Sequence, residues 1–76
     1  RYTLSVEVMS GSYFDGKTVS ELLLPERCEI IKIHRDRKDI PPAKQKLVPG
    51  DQVQIEMDAQ DIEKLYEPLV SMANIY

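Results

Sequence analysis

Apolar and polar residues alternate from the start of the chain. Tyr2, Leu4, Val6 and Val8 fall on one side and Thr3, Ser5 and Glu7 on the other, which predicts a half-buried strand over residues 2–9. Ser10-Gly11-Ser12 and Asp15-Gly16 then supply residues that tolerate positive φ, with Tyr13 and Phe14 between them, so a structured loop follows. Thr18 stands three residues before Glu21, the spacing of a reciprocal helix cap, and Val19, Leu22 and Leu23 fall at i, i+3 and i+4. These predict a helix of about two turns, which Pro25 ends. Residues 28–35 predict a second strand with apolar groups on both faces, Ile31 and Ile33 on one and Cys28 and Ile30 on the other. In a domain with one core, the second apolar face must meet a helix, a ligand or another subunit.

Asp36-Arg37-Lys38 predicts a tight turn, and the prolines of Asp39-Ile40-Pro41-Pro42 restrict that piece to a short edge strand. Leu47-Val48-Pro49-Gly50-Asp51 is a further turn. It leads into Gln52–Met57, where Val53, Ile55 and Met57 alternate with Gln54 and Glu56 as in another half-buried strand. Asp58 is placed to cap the last helix, whose apolar stripe is Ile62, Leu65, Tyr66 and Leu69. Pro68 interrupts it. The expectation is a helix over residues 59–67, then a kink or a fresh start at Pro68, with the stripe continuing through Met72 and Tyr76. The order β-α-β-β-β-α defines an α+β fold, with helices on one face of a small sheet.

Composition narrows this picture. At 76 residues the chain holds one small domain, spanning residues 1–76. Such a chain buries only about 60% of the surface its unfolded form exposes, so it gains from a partner. Ten Lys+Arg against 13 Asp+Glu give a net charge of −3, which lacks the positive excess of a long nucleic-acid binder. The longest apolar run, Leu22-Leu23-Leu24, is far below the roughly 20 residues that cross a bilayer. Cys28, the single cysteine, forms no internal disulfide. The first residue is Arg1, so the chain reads as a fragment of a longer protein.

Catalytic chemistry finds no support in the residues. Cys28 and His34, the single histidine, are six positions apart on one strand. At about 3.3 Å per residue that is roughly 20 Å, too far for a nucleophile and its base. Asp58, Asp61 and Glu63 complement a helix N-terminus and match no calcium-loop spacing. Gly16-Lys17-Thr18 resembles the end of a phosphate-cradling loop, but the preceding glycine, Gly11, is at the wrong distance. No catalytic residue, metal site or cofactor is expected, and the chain reads as a non-enzyme.

Charge distribution says more than total charge. Residues 32–46 carry six basic side chains against Asp36 and Asp39, a net +4, whereas residues 51–67 carry six acidic ones against Lys64, a net −5. Two solvated faces would explain this split. The sharper reading joins exposed Ile30 and Ile40 to Arg35 and Lys38 in one hairpin, apolar walls beside a planar phosphate-binding fork. Two such hairpins related by a two-fold axis would enclose a cleft for a small symmetric anion.

The residues also carry a family likeness. The run Ser12-Tyr13-Phe14-Asp15-Gly16-Lys17-Thr18-Val19-Ser20-Glu21-Leu22, then Leu24-Pro25, Ile30-Ile31-Lys32-Ile33-His34-Arg35-Asp36, Ile40-Pro41 and Leu47-Val48-Pro49-Gly50-Asp51-Gln52-Val53 resembles the TrkA C-terminal domain. That domain is also called the C-terminal domain of regulators of potassium conductance. The likeness covers residues 2 to 67. It implies the same β-α-β-β-β-α unit, a two-fold homodimer, and a place on the cytoplasmic side of the cell membrane beside a membrane-embedded channel or transporter for potassium, another cation or chloride. It also implies cyclic di-AMP, or a similar small anionic nucleotide, as the ligand at the dimer interface. Residue by residue, contacts are implied at Ile30, Ile31, Arg35, Asp39, Ile40 and Pro41. Asp39 stands where ligand-binding members often have Asn, and a carboxylate beside phosphates needs neutralising by Arg35 or Arg37. The alternative is a purely structural dimerisation module whose basic hairpin meets a partner protein or acidic lipid.

Overall fold

In a computed structural model that describes residues 1–74, the chain forms strands β1 (Tyr2–Glu7), β2 (Cys28–Arg35), β3 (Lys38–Ile40) and β4 (Gln52–Met57), then helix α1 (Ile62–Ala73). Single 3-10 turns occupy Val19–Glu21 and Ala59–Asp61. The sheet order is β1-β4-β2-β3, and every neighbouring pair is antiparallel. This is the expected α+β class. Alternation sets the core: Leu4 and Val6 of β1 and Val53, Ile55 and Met57 of β4 all point to one face and are buried. Phe14, Leu22 and Leu47 from the loops and Leu69 and Ala73 from α1 close over them. The opposite face is polar. Thr3, Ser5 and Glu7 register with Glu56, Gln54 and Gln52, and these in turn with Glu29, Lys32 and His34.

Three expectations are corrected. The first concerns β2, where pairing with β4 shifts between Ile30 and Lys32, so Ile31 is an extra residue bulged out of the ladder. The bulge turns Ile30 and Ile33, three residues apart, toward the same core, where both are buried, and leaves Ile31 outside. Ile30 is therefore not an exposed apolar wall. The strand carries one core face and one stray isoleucine.

The second is the short helix, which is a single 3-10 turn. Glu21 Oε1 accepts from the Thr18 N–H at 2.8 Å and from its hydroxyl at 2.9 Å, so the cap spacing is used. Leu22 is already extended. With Leu24 held out of helical geometry by Pro25, too few residues remain to nucleate an α-helix. The third is α1, which runs unbroken through Pro68 to Ala73. Its end is held from outside: the Ala73 carbonyl accepts from the Met9 N–H at 2.8 Å, the Met72 carbonyl from the Phe14 N–H at 3.2 Å, and the Val70 carbonyl from the Asn74 amide at 2.9 Å. These bonds satisfy carbonyls that a helix end leaves without partners. They help offset the bond that Pro68 cannot donate. Met72 is half-buried on the stripe, while Tyr76 lies outside the described residues.

Candidate functional site

The hairpin of β2 and β3 turns through Asp36 and Arg37, both at positive φ (50° and 65°), as a two-residue connection between paired Arg35 and Lys38 requires. β3 is the sheet edge, cut to three residues by the prolines behind it. On the polar face, His34 and Asp39 are a cross-strand pair, with Nδ1 to Oδ1 at 2.9 Å, and Lys32 Nζ lies 3.5 Å from Asp39 Oδ2. The hydrogen bond from His34, and after it the charge of Lys32, holds the Asp39 carboxyl below its usual range. The charge beside Asp39 comes from Lys32, with a hydrogen bond from His34, and not from Arg35 or Arg37.

Arg35 is committed elsewhere. Its Nε and Nη2 donate to the two oxygens of Asp51, each at 2.7 Å, and Nη2 also donates to the Lys46 carbonyl at 2.8 Å. The Asp51 side chain is 1% exposed and accepts further from the Val48 N–H at 2.9 Å. Burial pushes the Asp51 carboxyl up, but the Arg35 fork and the Val48 amide outweigh it, and the group sits below the ordinary carboxylate range. The same pairing raises the Arg35 guanidinium. The turn holding Asp51 has Pro49 and then Gly50 at φ 96°, with the Asp51 N–H donating to the Val48 carbonyl at 3.2 Å, a type II arrangement that needs glycine there.

The six candidate ligand residues thus divide. Asp39 and Pro41 are exposed and Ile31 is 37% exposed, whereas Ile40, opposite Ile33, is half-buried at the rim of the core. Ile30 lies inside the core and Arg35 within the clamp. Asp51 was missed as the partner of Arg35. It stands 16 residues further on, and nothing local to Val48-Pro49-Gly50-Asp51 marks it beyond its place in a turn. Cys28 faces the core opposite Met57 and His34 faces away, so no dyad forms. Burial pushes the Cys28 thiol up, making it a poor nucleophile.

Two concavities lie away from the turn of this hairpin. One runs along Ile62 to Glu67 of α1, and another at the opposite end of β2 is lined by Arg1, Arg27, Glu29 and Asp58. Among the described residues no group of three or more His, Cys, Asp or Glu side chains converges as a metal would need, and no helix is long and apolar enough to cross a membrane.

Fold and site together define a small antiparallel α+β domain organised around a clamped edge hairpin. The chain belongs to the TrkA-C domain family, whose model matches residues 4–70. It is 36% identical over 63 residues to the Trk system potassium uptake protein TrkA homolog of Archaeoglobus fulgidus, a stretch that is 82% of this chain and 14% of that protein.

Proposed function

We propose that the chain is a regulatory domain of a potassium transport system, acting on the cytoplasmic side of the membrane as a two-fold homodimer. In this reading it takes cyclic di-AMP or a similar small anion between subunits. The observation that carries it is the open edge of β3, where exposed Asp39 and Pro41 and half-buried Ile40 stand beside the bulged Ile31. A partner hairpin across a two-fold axis would cover these apolar groups. Ligand and membrane protein become coupled if the ligand favours one subunit arrangement over another. The membrane-embedded partner, a channel or transporter for potassium or another ion, is inferred from the family and from the name of the relative, of which the chain spans 14%.

Calorimetric titration of the purified chain with cyclic di-AMP tests the ligand. Saturable heat that Ile31→Ser weakens is expected, and no heat at tens of micromolar overturns that part. A second reading, a dimerisation module without a small-molecule ligand, is favoured by one observation. Arg35, the fork suited to phosphate, has its Nε and Nη2 engaged by Asp51 and the Lys46 carbonyl. A dimer seen by light scattering that ignores every nucleotide would select it.

A further inference from the structure

Arg1, Arg27, Lys32 and Arg35 are each paired with a carboxylate, and Lys17 donates to the Tyr13 carbonyl at 2.7 Å. Arg37, Lys38, Lys44 and Lys46 differ from these. All four are exposed, and among the described residues none has a carboxylate within 4.0 Å; Lys64 is also exposed and unpaired but belongs to α1. The four come from two segments that the fold joins. Arg35, one residue before the hairpin turn, is bonded to the Lys46 carbonyl and to Asp51, which ties the turn to the loop before β4. Arg37 and Lys44 sit at φ 65° and 63°, where glycine or asparagine would rest with less strain. Long cationic side chains occupy both places. Val48, two residues past Lys46, is 41% exposed on the same loop.

We propose that this end of the molecule is a docking surface for an anionic phospholipid bilayer. The Arg35 fork is engaged internally, Arg37 is the single guanidinium among the four, and none of the four side chains lines a concavity described above. What remains is an exposed set of three lysines and one arginine, with exposed Val48 on the loop that carries Lys46. Folded acidic proteins demand a matched pattern of carboxylates, whereas smeared headgroup charge accepts this one, and Val48 can enter the interface between headgroups. The surface does not depend on nucleotide binding.

Flotation of the 76-residue chain with vesicles of phosphatidylcholine containing about 30 mol% phosphatidylglycerol, against vesicles of phosphatidylcholine alone, tests the proposal. Binding is expected only to the anionic vesicles, and it should weaken as salt is raised. Each removed charge should weaken it about fivefold. The R37G/K44G double variant should therefore lose roughly 25-fold while its melting temperature holds or rises, since both positions accept glycine, which separates lost contact from lost fold. Equal binding to both vesicle types, no binding to either, or anionic binding that the double variant retains in full would overturn the proposal. So would capture by polyglutamate in preference to the anionic vesicles.

Discussion

Arg35 and Asp51 form the most buried ion pair among the described residues. A guanidinium and a carboxylate meet in two parallel bonds of 2.7 Å, and the carboxylate is closed off from solvent. Removing one partner strands the other, and that stranded charge sets the cost. Arg35→Ala should lower the unfolding free energy by about 3 kcal/mol in urea denaturation, near the low end for such pairs because Arg35 keeps a quarter of its side chain in solvent. Arg35→Lys should recover only part of the loss, since an ammonium cannot present the same fork. The pair also sets a pH dependence. The folded Asp51 carboxyl lies below its unfolded value, so its stabilisation is complete above about pH 4 and is lost as pH falls toward the folded value. Urea midpoints measured down the acid limb should fall steeply for the native chain and less steeply for Asp51→Asn.

At the level of elements, two local costs are visible, and each can be relieved. Arg37 occupies a left-handed position in the hairpin turn. Replacing it by glycine should raise stability by about 0.5–1 kcal/mol, read as a shift in the urea midpoint. Pro68 lies in the middle of α1 and is exposed. Pro68→Ala should restore a helical hydrogen bond and add about 2 kcal/mol in the same measurement. The strands were legible because alternation with a single buried face is a period-two signal, which β4 keeps throughout and β1 keeps from Leu4 onward, Tyr2 being exposed. In β2 the same rule failed at Ile30-Ile31-Lys32-Ile33, since a bulge exists only relative to a partner strand and leaves no mark in the strand that carries it. The Thr18-to-Glu21 cap was read correctly, but a cap spacing says where a helix begins and not whether enough residues follow to sustain one.

The whole molecule is one sheet with a single covered face, and its surface chemistry follows from that. The ligand-site residues were only partly legible, because which of Ile30, Ile31 and Arg35 faces outward depends on a bulge and on a partner 16 positions away in sequence. If subunits associate across the β3 edge, Ile31→Ser should lower the dimer fraction in light scattering without changing the melting temperature of the monomer, because Ile31 adds little to the core. The bonds from the Met9 and Phe14 amides to the last carbonyls of α1 carry a further consequence, in the exchange of backbone protons with solvent. Those two amides belong to the segment after β1, and these hydrogen bonds last only while the final turn of the helix is wound. Their exchange should follow fraying of α1 at a terminus some sixty residues away in sequence, so two ordinary loop protons report on the opening of the helix.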